Sequence, residues 1–474
     1  MPVYLGVSIA NYLLVMIGVA IWSHKKVKDE KDFIVAGRRL PASLATATLL
    51  ATWFGAGTLL TATDEIRYSG LPAAALEPYG AGLCLILAGI FFARPLWEAQ
   101  ILTLSDFYRN HFGRKAEVLS VFFTVPGYIG WIAVQIVACA GIISLMFGIS
   151  MQAAIVAVAV VATFYTLLGG MWSVTLTDAV QMVIIMVGVV ILGYTTLMHA
   201  GSGSTYTGIQ RIWEVTPPSM RTMVPYHDLR EFFAWGNLLV IASLGNIPGQ
   251  DLAQRIFSSK SPKAARQACF MSGTLYILLG TIPVIMGLAA RQLLPASVTH
   301  AVLPALAQSM LSPGMSVVFV LSVLSVVLST IDSAILAAAC PLSENFLRRY
   351  VPASVSSLKL CQYSVLAVSL CSLALALSGA KAYDLLEKSY TISLVGLFVP
   401  LCAGLYMKHK FESSALWSMG VGVAVWSLEF FVDEWVPVAT LAVVSSFVTY
   451  WLHSRWIAAR GVLPKPSAPA TAAS

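Results

Sequence analysis

The chain has 474 residues, of which 58% are hydrophobic and only 11% are charged. Soluble proteins carry about 25% charged residues, and a soluble fold of this size has too little interior to bury so much apolar surface. Long unbroken apolar runs also exclude an outer-membrane barrel, whose strands alternate polar and apolar side chains. The composition therefore predicts a helical protein that crosses a lipid bilayer many times.

The net charge of +7 would suggest a nucleic-acid partner in a soluble protein. In a membrane protein its ordinary cause is the enrichment of Lys and Arg in cytoplasmic loops, so we expect no nucleic acid. Seven cysteines without a CxxC pair predict small core residues rather than a disulfide framework or a metal centre. No Walker motif, HExxH motif or acid–base constellation is present, which argues against an ATPase or any other enzyme.

Apolar runs of about 20 residues are long enough to cross the hydrocarbon core. About thirteen such runs predict thirteen transmembrane helices, at residues 3–23, 41–66, 71–95, 117–148, 151–169, 177–198, 232–257, 267–290, 313–340, 357–379, 388–407, 413–433 and 434–453. The first run is not a cleavable signal peptide, because its basic cluster follows it instead of preceding it.

Loop charges predict the orientation. With the N-terminus outside and the C-terminus in the cytoplasm, 22 of the 29 Lys and Arg residues fall on the cytoplasmic side. Such a bias predicts a multi-pass protein of the cell membrane with that orientation. The predicted segments are an N-terminal helix and basic loop (1–40), a first inverted repeat (41–198), an extracellular loop (199–231), a second inverted repeat (232–410), two peripheral helices (411–456) and a disordered cytoplasmic tail (457–474).

Two predicted spans contain a break near the middle, at residues 51–58 (ATWFGAGT) and 245–250 (GNIPGQ). Glycine and proline interrupt the hydrogen bonds of a helix, and the freed carbonyls need a partner inside a bilayer. Either break alone is compatible with a packing glycine or a proline kink. Because each break lies in the first helix of a five-helix block, the pair indicates a transporter with inverted repeats that binds an ion or solute there.

Hydroxyls and a carboxylate cluster in the span at 313–340, within the sequence VVLSTIDS at 326–333. Ser329 and Ser333 share a helix face, and hydroxyl oxygens beside freed carbonyls suit a weakly bound alkali cation. Serines in membrane helices also bond back to their own carbonyls, and this role in packing is equally open for any one of them. Asp332 favours function, because a carboxylate inside a span is costly. Asp178 either caps its helix or lies on the exit route of the ion.

Four stretches together resemble the signature of the solute:sodium symporter family. They are YTLLGGMWSVTLTDAVQ at 165–181, FIVAGRR at 33–39, GQDLAQR at 249–255 and LSTIDS at 328–333. The resemblance covers about residues 5–410. It implies an all-α fold of the leucine-transporter type, with a 5+5 inverted repeat, one extra N-terminal helix and two extra C-terminal helices. It also implies sodium-driven uptake of a solute by alternating access.

The same resemblance implies a sodium site. Its ligands would be the carbonyls of Ala51, Phe54 and Val326 and the hydroxyls of Ser329 and Thr330. Some family members have a second sodium position, which would fall on Ser329, Asp178, Asp332 and Ser333. Because an acid replaces a hydroxyl at position 332, the sodium stoichiometry stays open.

For the solute, residues 51–57 and 85–95 resemble the choline-transporter branch of the family. An aromatic cage binds a quaternary ammonium through cation–π attraction. Two expected cage residues are present as Trp53 and Trp131, which could equally be packing residues, whereas Gly249 and Ala81 replace the other two and predict a wider pocket. The remaining candidates for the solute site are Gly55, Gly57, Gln135, Asn246, Gln250 and Asp251. No arginine is expected in the pocket helices, so a dedicated carboxylate clamp is missing, although half-helix N-termini could attract an anionic group. We favour a small zwitterion or organic cation over a sugar.

The sequence thus predicts a sodium-coupled symporter of a small organic solute, with the lipid bilayer, sodium and the solute as partners and a single chain as the functional unit. A membrane solute sensor of the same fold is a second hypothesis, but it would need an output domain where only about twenty residues follow the last helix. Symport of a carboxylate or a sugar, coupling to protons, and a channel also stay open.

Overall fold

The computed structural model describes residues 2–24, 30–167, 170–298, 301–352, 354–379, 382–433 and 435–461. Gly169 of the family signature and residues 462–474 of the predicted tail lie outside them. The described residues form helices and no strand, with one isolated bridge between Leu40 and Ser259. Helices are the expected outcome, because a bilayer offers no water to the backbone and each segment must satisfy its own polar groups. The predicted all-α class is confirmed.

We number the long helices and the halves of the broken spans in chain order. They are α1 (Pro2–His24), α2 (Ala42–Trp53), α3 (Gly57–Ser69), α4 (Leu71–Glu98), α5 (Arg114–Phe147), α6 (Met151–Leu167), α7 (Met171–Ala200), α8 (Leu229–Gly245), α9 (Gln250–Ser258), α10 (Pro262–Leu293), α11 (Pro313–Pro341), α12 (Ser357–Leu377), α13 (Asp384–Tyr406), α14 (Glu412–Trp426) and α15 (Val438–Ala459). Shorter helices in the connections are Glu30–Val35, Leu104–His111, Thr205–Val215, Pro218–Arg221 and Val302–Met310.

Within the described ranges, nine helices are long and apolar enough to cross a membrane, and the bent pair α2 and α3 makes a tenth. The other three predicted spans correspond to α6, α14 and α15. Helices α6 and α14 have 17 and 15 residues, fewer than the about 20 that a span needs. Helix α15 has 22 residues but carries several polar side chains. The count of thirteen therefore stays a prediction.

Both predicted breaks are present. The chain leaves helix α2 at Trp53 and resumes at Gly57, bent by 54°. Helix α8 ends at Gly245, and α9 begins only at Gln250. At the first break, Gly55 is required by close packing, because a Cβ there would lie 3.0 Å from Thr330 Oγ1 and 3.1 Å from the side-chain amide of Gln135.

The broken spans lie inside the bundle. Helix α2 packs between α7 and α10, while α11 packs against α5 and α7. Every residue of α11 from 325 to 341 is buried. The hydroxyl-rich part of α11 therefore faces protein and not lipid, next to the end of α2.

Candidate ion and solute site

The hydroxyls of α11 meet the carbonyl end of α2. Ser329 Oγ donates to Ala51 O at 2.9 Å, and Thr330 Oγ1 donates to Thr52 O at 3.0 Å. Both hydroxyls also lie within hydrogen-bonding distance of Val326 O, at 3.0 and 2.9 Å. Four of the five predicted sodium ligands thus form one group of oxygens, which we call the neutral set, and Thr52 O adds one that the sequence did not suggest.

Phe54, the fifth predicted ligand, lies at the turn that follows α2. Its N–H donates to Leu50 O at 2.8 Å, and the next N–H, of Gly55, turns back to Trp53 O at 2.7 Å. The carbonyls at this end of α2 also carry the negative end of the helix dipole. In transporters with broken helices, uncharged oxygens at the C-terminus of a half-helix coordinate sodium.

A second group of polar side chains surrounds Arg255 of α9, which is only 1% exposed. Its Nη2 donates to Ser333 Oγ at 2.6 Å and to Thr52 Oγ1 at 2.8 Å. The same nitrogen lies 3.8 Å from Asp178 Oδ2, which accepts a hydrogen bond from Thr48 at 2.5 Å. The count of loop charges included Arg255 among the basic residues of the cytoplasmic side. The structure places it inside the bundle, because the guanidinium is buried against a carboxylate and two hydroxyls.

Asp332 adds a second carboxylate to this group, which we call the charged set (Asp178, Arg255, Asp332 and Ser333). Asp332 is 2% exposed, and its Oδ1 accepts the N–H of Ser333 at 2.6 Å. Asp178 Oδ1 is buried and accepts no hydrogen bond from any described residue. The set contains two carboxylates and one guanidinium, and Asp178 Oδ1 is the carboxylate oxygen to which a further cation or proton could bind.

Helix α1 also reaches this region. The hydroxyl of Tyr12 accepts hydrogen bonds from Gln181 Nε2 and from Ser325 Oγ, each at 3.0 Å. Ser325 precedes the neutral set by one turn of α11. The N-terminal helix is therefore attached to the ion region through a side chain that the sequence did not single out.

The candidate solute site lies at the second break. Trp53 Nε1 donates to Asp251 Oδ2 at 2.7 Å, and the hydroxyl of Tyr128 donates to Asp251 Oδ1. The rings of Tyr128 and Trp131 are tilted against each other with centroids 5.9 Å apart. A small cavity lies next to this group. Its lining includes Tyr128, Trp131, Asn246, Gly249, Asp251 and Tyr390.

The oxygens of Asn246 and Asp251 explain why a glycine is present at position 249. A Cβ on Gly249 would lie 2.8 Å from Asn246 O, 2.9 Å from Asp251 Oδ1 and 3.5 Å from the Tyr128 hydroxyl. The space beside the glycine is therefore already filled. Tyr128 adds an aromatic ring from α5 to the cavity lining beside this glycine, and the wider pocket stays a prediction.

Three predicted solute residues have other contacts. Gln135 Oε1 accepts the N–H of Ala56 at 2.7 Å and so attaches α5 to the first break. Gln250 Oε1 accepts the N–H of Leu104 at 2.6 Å, which directs that side chain toward a loop and away from the cavity. Gly57 packs against Leu386. These residues support the breaks without lining the cavity.

Glu77 on α4 is a buried carboxylate that none of the sequence motifs includes. It is 2% exposed, and its Oε2 accepts hydrogen bonds from Tyr276 at 2.6 Å and Thr58 at 3.0 Å. Its Oε1 accepts the hydroxyl of Tyr390 at 2.9 Å. No basic residue in the described ranges forms an ion pair with it. Glu77 thus connects the first broken span to a tyrosine of the cavity.

Comparison with known proteins agrees with this architecture. The model of the sodium:solute symporter family matches residues 33–422. A high-affinity choline transporter of Caenorhabditis elegans is 23% identical, over 94% of this chain and 84% of that protein. One of Drosophila melanogaster is 26% identical, over 85% and 67%. A solved Na⁺-coupled sialic acid symporter superposes with a TM-score of 0.81 at 17% identity, covering 95% of this chain and 97% of that one. The fold is that of the leucine-transporter type.

Proposed function

The chain belongs to the sodium:solute symporter family and is a sodium-coupled solute symporter, a transporter rather than an enzyme, and from this premise we propose that its solute is a small organic cation. The observation that carries the proposal is a buried carboxylate, Asp251, held beside the rings of Trp53 and Tyr128 at the cavity. Aromatic faces attract an organic cation, and the carboxylate supplies its counter-charge. The similarity to choline transporters supports the same class of solute.

A zwitterion fits this site less well. Its carboxylate would need a cationic partner, and the nearby guanidinium of Arg255 is already bonded to Ser333 and Thr52. Placing a second carboxylate beside Asp251 without such a partner would be unfavourable in a low-dielectric interior. The charge of the cavity therefore favours a cation over a zwitterion, and a zwitterion over a carboxylate.

We propose that the neutral set binds one sodium ion as cargo, through oxygens of Ala51, Val326, Ser329 and Thr330, with Phe54 O completing it. A sodium ion there joins α2 to α11. Trp53, which orients Asp251, ends the same α2. Ordering the end of α2 therefore also orders the solute site, and by linkage the solute strengthens sodium binding to the same extent.

We propose further that the charged set takes a second cation, sodium or a proton, at Asp178 and Asp332. Its unpaired oxygen and its excess of one carboxylate support this assignment. An inward cation gains about 2.3 kcal/mol per 100 mV of membrane potential, so a second ion would add to the driving force.

The orientation and the functional unit complete the proposal. The bias of Lys and Arg supports an external N-terminus and a cytoplasmic C-terminus in the cell membrane. We propose a single chain as the functional unit, because the residues of the neutral set and the charged set are buried inside one helical bundle.

Solute binding to purified protein tests the proposal. Tryptophan fluorescence is followed while choline, glycine betaine or glucose is added, in sodium and in potassium buffers. We expect choline, the cationic probe, to saturate at the lowest concentration, and only with sodium. Tighter binding of the betaine or of glucose would overturn the cation assignment, whereas equal binding in potassium would overturn the sodium site. Counterflow of labelled choline in vesicles preloaded with choline would separate a carrier from a channel.

A further inference from the structure

A groove with basic side chains lies far from the ion and solute sites. It is formed where α4 ends and α10 begins, and we call it the basic groove. Its lining residues are Arg94, Pro262, Lys263, Arg266, Gln267 and Phe270. None of them contributes to the neutral set, the charged set or the solute cavity.

The charges of the basic groove favour an anion. Arg94, Lys263 and Arg266 are all exposed. Arg266 Nε donates to Gly89 O at 3.3 Å, which fixes its guanidinium against α4. Glu98 is the acidic neighbour, and it pairs with Arg94 at 2.8 Å. Three basic side chains against one carboxylate leave a positive surface with two kinds of phosphate-binding group, guanidinium and ammonium.

Apolar side chains continue from the groove along α4 and α10. Ile90 and Phe91, about one helical turn before Arg94, are 47% and 52% exposed, and Met271 on α10 is 49% exposed. The hydroxyl of Tyr406 donates to Phe91 O at the end of α13. Exposed tyrosines are enriched where the hydrocarbon meets the head groups. Exposed apolar side chains next to a tyrosine and basic residues therefore favour a position of the groove at head-group depth, with the apolar surface beside it toward the hydrocarbon.

We infer that the basic groove binds the phosphate of an anionic phospholipid, whose acyl chains lie along Ile90, Phe91 and Met271. A soluble phosphate would match the charges, but it would leave the adjoining apolar surface without a role. Basic pockets between transmembrane helices on the cytoplasmic side are known to suit such head groups. The bound lipid would join the ends of α4 and α10, the helices that carry Glu77 and its partner Tyr276.

Lipid binding to the intact protein tests this inference. Native mass spectrometry counts phosphatidylglycerol or phosphatidylcholine molecules retained by the detergent-purified protein during a titration. The variant Arg94→Gln with Lys263→Gln removes two charges and leaves the Arg266–Gly89 contact in place. The matched control is Arg455→Gln with Arg460→Gln, because those two side chains stack on Trp451 and Trp456 outside the groove. Removing two charges should weaken phosphatidylglycerol binding by about tenfold or more, while the control binds like the parent.

Two further arms complete the test. The charge-preserving variant Arg94→Lys with Lys263→Arg should retain lipid like the parent, which separates charge from packing. Inorganic phosphate should not displace the lipid at millimolar concentration. Equal retention of phosphatidylglycerol and phosphatidylcholine by the parent would overturn the inference, as would an unchanged affinity in the double Gln variant. Displacement by inorganic phosphate would instead identify a free-anion site.

Discussion

Two neighbouring stretches of helix α11 differ in the charge of the groups that surround them. Ser329 and Thr330 lie against backbone carbonyls at the end of α2, and the neutral set contains no charged side chain. One turn later, Asp332 and Ser333 lie in the charged set, which already contains the guanidinium of Arg255. Both stretches are buried and both contact the same α2.

The difference separates two tasks. Neutral oxygens bind an alkali ion weakly enough to release it, as a transport cycle requires. The guanidinium of Arg255 is part of the chain and cannot be released. It therefore joins α9, α11 and α7. Its charge also limits how much additional positive charge the two neighbouring carboxylates can bind. Buried charges that lose their partner are strongly destabilising. We therefore expect changes in the neutral set to alter sodium affinity, and changes in the charged set to alter ion stoichiometry or stability.

The largest effect should come from the neutral set. The double variant Ser329→Ala with Thr330→Ala removes two oxygen ligands and should raise the sodium concentration for half-maximal solute binding by about 30-fold or more, at roughly 1 kcal/mol for each lost oxygen. Sodium titration of choline binding measures it. Ser322→Ala is the matched control, because that hydroxyl belongs to the same helix α11 but bonds to Ile184 O of α7 and to Val318 O, outside the neutral set. An unchanged sodium dependence in the double variant would exclude the neutral set as the ion site.

Removing the counter-charge at the cavity should have the next largest effect. Asp251→Asn should lower choline affinity by about tenfold, because a charge-assisted contact is replaced by a neutral one. Sodium binding without solute should change little. Asp64→Asn serves as a control, since that carboxylate accepts N–H groups of Ala301 and Val302 far from the cavity. If choline bound equally well to Asp251→Asn, the cation assignment would be wrong.

Changes in the charged set should alter the cooperativity of sodium binding. Asp332→Asn removes the excess negative charge, so the slope of the sodium titration should fall toward that of a single ion, while the affinity of the neutral set stays nearly unchanged. The charge-preserving Asp332→Glu should keep the steeper slope if its carboxylate reaches the same region. Identical slopes in the parent and Asp332→Asn would mean that no second sodium binds there.

The smallest effect should come from the aromatic hydroxyl beside Asp251. Tyr128→Phe keeps the ring but removes the hydrogen bond that the hydroxyl donates to Asp251 Oδ1 and the one that it accepts from the N–H of Asp251. Only the first acts on the carboxylate, and it is worth about 1 kcal/mol, so choline affinity should fall by about fivefold. Tyr108→Phe is the matched control, because that buried hydroxyl bonds to Leu397 O elsewhere. A fall as large as that of Asp251→Asn would show that Tyr128 does more than orient the carboxylate.

The breaks and the hydroxyl cluster were predictable because their signals are local. Glycine at 55 and 57 and proline at 248 interrupt apolar runs, and Ser329 and Thr330 stand out in an otherwise apolar helix. The family resemblance then predicted that the first break and the hydroxyls of Ser329 and Thr330 form one sodium site. Whether a hydroxyl faces a neighbouring carbonyl or its own helix depends on helix rotation, which no local pattern specifies.

Local sequence patterns did not predict the contacts of three buried residues, Arg255, Tyr128 and Glu77. Arg255 lies near the end of a predicted span, and only its contacts with Asp178 of α7 and Ser333 of α11 reveal it as buried. Tyr128 belongs to the long helix α5, 123 positions away in sequence from its partner Asp251. Glu77 lies near the end of its predicted span, and its burial depends on tyrosines of α10 and α13.

The sequence by itself determined the membrane-spanning character, the two breaks and the family, because apolar length, helix-breaking residues and short motifs are properties of contiguous residues. Only the tertiary structure decided which oxygens meet, that an arginine lies against a buried carboxylate, and that Tyr128 lines the cavity beside Gly249. These contacts join helices far apart in the chain. Their energies depend on distance and burial, which exist only once the helices have packed.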